Sequence, residues 1–198
     1  MTYYRRLAPI YDRLYGRMYR GLRGRSLEML GLRESDTIVL IGVGTGLDLE
    51  LLPAVKRAVG VDITPAMLAR ARSRARRGRD ALVLADGSVL PLATACADAA
   101  VLHLVLSVAP DPRAIIEEAV RIVRPGGELT VCDHLAPARP LGWTRRLATR
   151  LASILGTRFD RELTSLLAAL PVRVRTSDRA WFGCYQLALL ERVTEDLP

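Results

Sequence analysis

Three glycines in alternation, Gly42-Val43-Gly44-Thr45-Gly46, follow the aliphatic run Thr37 to Ile41. Glycine lets a backbone turn sharply and lets a ligand approach closely, so such a loop can hold a small molecule on main-chain amides. A dinucleotide loop reads G-x-G-x-x-G. Here the third glycine comes one residue early, and Leu47 stands where it is needed. Asp62 closes the next apolar run, 20 residues after Gly42, and a carboxylate at that place can accept both hydroxyls of a ribose. Asp86-Gly87 closes a third run, from which a carboxylate can reach an adenine amino group. Each acid alone also reads as an ordinary turn residue at a strand end. The three together point to a ligand that carries a nucleoside.

The elements that must position these residues alternate from about Thr37 onward. Strand-like runs are expected at Thr37–Ile41, Ala58–Val61, Ala81–Leu84, Ala99–Leu106 and Glu128–Cys132. Helical patterns begin at Leu47–Leu52 and cover Pro65–Arg76 and Asp111–Val123, the last stopping before Pro125-Gly126-Gly127. This rhythm calls for a mainly parallel sheet with helices on both faces. It then changes: Leu141–Leu155 and Arg161–Leu170 read as two consecutive helices, and Val172–Thr176 with Trp181–Leu190 as a closing pair of strands. The two-helix interruption falls above the carboxyl ends of the strands, where ligands of open α/β sheets bind.

Composition narrows the class. The chain has 198 residues, half of them hydrophobic, with 29 basic and 21 acidic side chains and a formal net charge of +8. That excludes a disordered chain, and three scattered cysteines exclude a disulfide-stapled scaffold. Cys96, Cys132 and Cys184 read as buried reduced thiols. With Arg5 and Arg6 interrupting any signal-peptide core, they point to the cytoplasm. Residues 81–110 are the most apolar stretch, but Asp86-Gly87 and Pro91 cut it too short for a membrane span.

Residues 1–33 carry a net +6, most of the excess charge, and five of the six tyrosines. Leu7, Tyr11, Leu14, Tyr15, Met18 and Leu22 recur at helical spacing, with Arg6, Arg13, Arg17 and Arg20 largely opposite. A basic amphipathic helix with aromatics suits a membrane interface. It equally suits packing on its own domain with a solvated arginine face, since 28 of the 29 basic residues are arginine throughout. No nucleic-acid-reading motif and no metal-ligand cluster is visible. The Arg70–Arg79 run reads as a solvated helix face.

These residues carry a resemblance. Ile38–Leu47, Val61-Asp62-Ile63-Thr64-Pro65, Ala85-Asp86-Gly87 with Leu90-Pro91, and Arg121–Gly127 resemble the successive motifs of class I S-adenosylmethionine-dependent methyltransferases. Within that group the chain is most similar to small bacterial phosphatidylethanolamine N-methyltransferases. The matching pieces are Tyr11-Asp12 with Tyr15-Gly16, Ser107-Val108 with Pro110-Asp111-Pro112, Asp133-His134-Leu135, and Gly156, Arg158 and Phe159. Two departures are Leu40, where the family's loop has an acid, and Thr157, where a later motif has tryptophan.

The resemblance implies one Rossmann-like domain over 34–198, with a seven-stranded, mostly parallel sheet and a closing antiparallel hairpin. The two-helix insertion falls at about 140–170, and residues 1–33 form an amphipathic lid or membrane contact. It implies S-adenosylmethionine as cofactor, held by Tyr11, Gly42, Gly44, Gly46, Asp62, Ile63, Asp86, Gly87 and His103. It implies methylation of phosphatidylethanolamine toward phosphatidylcholine at an anionic membrane surface, the protein sitting peripherally on the inner face of the cytoplasmic membrane as a monomer or weak oligomer. An ethanolamine amine must lose a proton before it attacks, so His134 is the candidate base or headgroup contact, with Tyr15 and Asp133 beside it. A structural role for His134 is the alternative. Tyr19, Arg145, Arg146 and Arg158 are the candidate lipid contacts, tyrosine faces suiting a methylated cation. The competing readings are a methyltransferase for a quinone precursor or natural product, and a non-catalytic relative, to which Leu40 points.

Overall fold

The computed structural model describes residues 16, 19–135, 162–181 and 183–194. Seven strands form one sheet: β1 (Thr37–Ile41), β2 (Arg57–Asp62), β3 (Ala81–Leu84), β4 (Ala97–His103), β5 (Val123–Asp133), β6 (Val172–Ala180) and β7 (Tyr185–Arg192), in the order β3-β2-β1-β4-β5-β7-β6. The first five run parallel, and β7 is antiparallel to both β5 and β6. The order reverses between β1 and β4, the switch point at which open α/β sheets bind ligands. The architecture read from the sequence is the one observed.

Period-two alternation sends the two sides of each strand into separate cores. Val39, Ile41, Ala100, Leu102, Leu129 and Val131 meet the helix α3 (Pro112–Ile122) and the short α4 (Leu163–Leu167). Ile38, Leu40, Ala99 and Val101 meet Leu27 of α1 (19–28), Leu30 just beyond it, and Leu68 of α2 (Pro65–Ala71). In α3, Asp111 caps the start by accepting from the Ala114 amide at 3.0 Å, and Pro112 occupies the first turn. Its buried Ile115, Ile116, Ala119 and Val120 form one stripe.

Several local expectations need correction. No helix follows the glycine loop: residues 47–51 are turns, closed by single bonds from the Leu49 amide to the Gly46 carbonyl and from Leu51 to Asp48. α2 stops at Ala71 instead of Arg76, because tight bonds such as Arg74 amide to Ala71 carbonyl take over. β4 ends at His103, three residues early, where Leu104 adopts φ +55. Trp181 lies in the β6–β7 turn, not in a strand. The second insertion helix shrinks to α4, while Leu141–Leu155 lies outside the described residues. Only Cys132 is buried; Cys96 and Cys184 are exposed.

Candidate cofactor crevice and acceptor edge

The glycine loop is tied to β2 by the Gly42 and Val43 amides, which both donate to the Val61 carbonyl at 2.8 and 2.9 Å. Gly42 sits at φ +74, and a Cβ there would meet Val105 Cγ2 at 2.7 Å, so neither the conformation nor the space admits a side chain. Gly44, at φ +56, differs: a Cβ would meet nothing nearer than the Gly42 carbonyl oxygen at 4.0 Å. Its open face is where a ligand can lie against bare backbone. The Asp62 carboxylate accepts from the Gly44 amide and from the Thr64 amide, each at 2.8 Å, and so spans the loop and the turn after β2. With about four acceptor positions on two oxygens, it keeps capacity for ribose hydroxyls.

Beyond it, Asp86 is exposed, and its Oδ1 accepts from the backbone and hydroxyl of Ser88 at 2.9 and 2.7 Å. Those bonds hold its carboxyl below the usual range. Ile63, 44% exposed, and Leu84, 58% exposed, leave an apolar ledge between the two acids. An open glycine backbone, a carboxylate with spare acceptor capacity and exposed apolar side chains fit an adenosyl sulfonium. Leu40 is buried in the apolar core, so the loop takes its side-chain hydrogen bonds from elsewhere: Asp62 at Gly44, and Arg74 Nη1 at the Thr45 carbonyl, 2.8 Å.

His103 is placed otherwise than expected. Its ring does not face the rim, because Nδ1 lies 3.0 Å from Asp48 Oδ1 and Nε2 3.0 Å from Ser26 Oγ, all buried. Asp133 is also withdrawn: its buried carboxylate accepts from the backbone amides of Leu106, Ser107 and His134 at 2.7, 3.2 and 2.7 Å. Burial pushes its pKa up, and the residue shapes the turn after β4 instead of meeting an ammonium.

His134 packs its ring on Tyr185 at 3.7 Å between centroids and approaches Tyr19 edge-on at 6.5 Å. Desolvation brings its pKa down to about 4, so the imidazole is neutral at physiological pH. Tyr19 is buried against this group. It accepts a short hydrogen bond from the Tyr185 hydroxyl and stacks on Trp181, centroids 5.3 Å apart and 25° between planes. Trp181 keeps 39% of its surface exposed. The end of β5 and the β6–β7 turn place this cluster at the carboxyl edge of the sheet, on the far side of the switch point from Asp62 and Asp86. Tyr11, Tyr15, Arg145, Arg146 and Arg158 lie outside the described residues.

Sequence reasoning missed Trp181 and Tyr185, whose only signal was aromatic residues flanking a tight turn. It also missed Asp48, Arg23 and Ser26. Their signal was polar side chains at positions that the local period assigns to a buried face. A depression of about 570 Å³ opens at the amino ends of β1 and β2, lined by Lys56, Arg57, Arg79 and Cys96 among others; it faces the sheet edge opposite the glycine loop and forms no part of this crevice. Among the described residues no group of side chains could hold a metal ion.

The family model described as "Methyltransferase domain" matches residues 39–131. A phosphatidylethanolamine N-methyltransferase of Cereibacter sphaeroides is 31% identical over 162 residues, 79% of each protein. A demethylmenaquinone methyltransferase of Tropheryma whipplei is 28% identical over 68% of this chain, which spans 59% of that protein's length. Among solved structures, the geranyl diphosphate C-methyltransferase of Streptomyces coelicolor, crystallised with S-adenosyl-L-homocysteine, superposes with a TM-score of 0.76. It is 14% identical, with 89% of this chain and 80% of that one covered.

Proposed function

Because the chain belongs to the class I S-adenosylmethionine-dependent methyltransferases, we propose that it methylates the amine of phosphatidylethanolamine, and of its mono- and dimethyl forms, toward phosphatidylcholine at an anionic membrane surface. The bound cofactor supplies an electrophilic methyl group on a positively charged sulfur. The observation that carries the acceptor class is the aromatic cluster Tyr19, Trp181 and Tyr185 with neutral His134, at the carboxyl edge beside β5. Positive charge builds on the acceptor nitrogen as the methyl arrives, and ring faces stabilise it more in the transition state than before it. Similarity to the Cereibacter enzyme over most of both chains supports the same acceptor.

With a pKa near 4, His134 is a poor match for stripping an alkylammonium that holds its proton as lysine does, at about 10.4. Transfer between them is uphill by roughly 9 kcal/mol. His134 therefore orients the amine by accepting one N–H, and the proton leaves to water before attack. The family resemblance assigns Tyr11 to the cofactor, Tyr15 to the acceptor, and Arg145, Arg146 and Arg158 to the lipid phosphate. No helix among the described residues is long and apolar enough to cross a membrane; the basic segment 1–33 supplies the proposed surface contact.

Similarity to quinone-pathway methyltransferases favours a second reading, a quinone precursor as acceptor. Transfer of radiolabelled methyl to vesicles containing phosphatidylethanolamine, resolved by chromatography, decides between them. Label in the lipid from wild type and none from Asp62→Ala supports the first reading. Trp181→Ala should lower lipid transfer by a few-fold to about 30-fold, the worth of roughly 0.5–2 kcal/mol of cation–π contact. Label absent from every lipid overturns the lipid reading.

A further inference from the structure

Beneath the glycine loop a chain of buried polar side chains runs from the loop to the N-terminal helix. Asp48, two residues beyond Gly46, meets partners from two other elements: Arg23 Nε at 3.7 Å from α1 and His103 Nδ1 at 3.0 Å from β4, both on Oδ1. Since a carboxylate can only accept, His103 Nδ1 carries the proton. His103 Nε2 then meets Ser26 Oγ of α1 at 3.0 Å, and Ser26 Oγ lies 2.6 Å from Thr130 Oγ1 of β5. Thr130 closes the chain by donating to the Ser26 carbonyl at 3.1 Å. Against its complete burial, His103 and Arg23 hold the Asp48 carboxyl below the usual range.

The segment that carries Asp48 has no helical ladder, only the single turn bonds at Leu49 and Leu51, so side-chain anchors fix its course. Asp62 and Arg74 hold the open side of the loop, and Asp48 holds its buried side. Asp48 links this segment to α1 on its buried side through Arg23, and Glu50 faces Arg20 of α1 at the surface, 4.0 Å from its Nη1. A buried polar chain is stabilising when every member is satisfied and costly when one is lost. Withdrawal of α1 takes Arg23 from Asp48 and Ser26 from His103, and a displaced loop takes Asp48 from Arg23.

We propose that Arg23, Asp48, His103 and Ser26 are positioning residues that couple docking of α1 to the cofactor-binding shape of the glycine loop. The proposal rests on the cofactor assignment. By reciprocity, a cofactor product that needs the ordered loop also holds α1 in place.

The test combines calorimetric titration of S-adenosyl-L-homocysteine with hydrogen exchange over residues 19–28, on the full chain. In wild type, saturating S-adenosyl-L-homocysteine should slow exchange across α1. Asp48→Asn and Ser26→Ala should weaken binding by about 5- to 150-fold, the usual range of coupling between sites, with Ser26→Ala at the lower end. The ligand-induced slowing at α1 should shrink in parallel, and the Michaelis constant for S-adenosylmethionine should rise more than kcat falls. If Asp48→Asn does not fold, Ser26→Ala, which removes a single hydroxyl, decides. Wild-type affinity in the folded variants, or α1 exchange indifferent to the ligand in wild type, overturns the coupling alone. A wild-type protein that binds no S-adenosyl-L-homocysteine overturns the cofactor assignment as well.

Discussion

Replacing Gly42 and Gly44 by alanine, one at a time, should separate the two tasks of the loop. At Gly42 the φ of +74 costs a side chain about 1–2 kcal/mol. The new methyl also sits 2.7 Å from Val105 Cγ2 and 2.9 Å from its Cβ, overpacking worth about 1–3 kcal/mol. Gly42→Ala should therefore lose about 2–5 kcal/mol, a fall in Tm of roughly 4–20 °C for a chain of this length. At Gly44 the conformational cost is similar, but no neighbour is crowded, so the fall in Tm should stay near 2–8 °C. The methyl instead occupies the open face that the cofactor assignment gives to the ligand. Thermal unfolding with S-adenosyl-L-homocysteine at 100 times its dissociation constant for wild type should raise the wild-type Tm by about 5–11 °C. Gly44→Ala should lose most of that rise while remaining folded. A Gly44→Ala protein with the full ligand-induced rise, or a Gly42→Ala protein with the wild-type Tm, would refute the division of roles.

Two further outcomes test the packing around the site. Against the cost of burial, hydrogen bonds from Arg76 hold Asp80 below its ordinary 3.8, and those from Arg121 hold Glu118 below 4.5. Stability from such depressed acids is complete above their unfolded values and is lost as pH falls through the folded ones, so urea midpoints should decline below about pH 5. Buried Asp133, whose pKa is raised, works in the opposite sense and softens that decline. Arg76→Met should cost about 1.5–3 kcal/mol at pH 7 and progressively less in acid; a deficit unchanged at pH 3 contradicts the pairing. For the thiols, burial pushes Cys132 up to about 12, while Cys96 and Cys184 are exposed. An aromatic disulfide reagent should titrate two thiols quickly in the native protein and the third only after denaturation. Three fast thiols would contradict the burial of Cys132.

What could be read in the sequence was whatever a strand end writes locally. Gly42 to Gly46, Asp62 and Asp86 each follow an aliphatic run, and parallel strands place such ends along one edge, so spacing along the chain became proximity in space. The helix at 47–52 was expected on apolar periodicity, yet Asp48 in that stretch turns inward to Arg23 and His103, and its backbone closes only single turns. Helical spacing at the N-terminus was legible too, but not what its stripe would meet. Tyr19, Leu22, Arg23, Ser26, Leu27 and Leu30 share the buried side, and the two polar members were invisible without their partners 25 and 104 positions away, Asp48 and Thr130. His103 looked like a rim residue because it ends a strand; the alternation of β4 instead turns its ring toward α1. Trp181 and Tyr185 gain meaning only when the hairpin brings them against Tyr19 and His134.

On these proposals the described part of α1 joins the two halves of the reaction. Arg23 and Ser26 serve the cofactor loop, and Tyr19, four residues earlier and so about 6 Å along the helix axis, packs in the acceptor-side cluster. A helix is stiff over one turn, so a shift at the Tyr19 end cannot be absorbed before Arg23. In a soluble enzyme this would only rigidify the crevice. Under the lipid reading it has a consequence, because the basic residues 1–18 lead directly into Tyr19. Contact of that segment with an anionic surface would bear on the same helix that sets the cofactor loop. Surface binding, acceptor entry and cofactor affinity would then be linked by one short element, which is reason for a buried polar chain where an apolar contact would have been enough for stability alone.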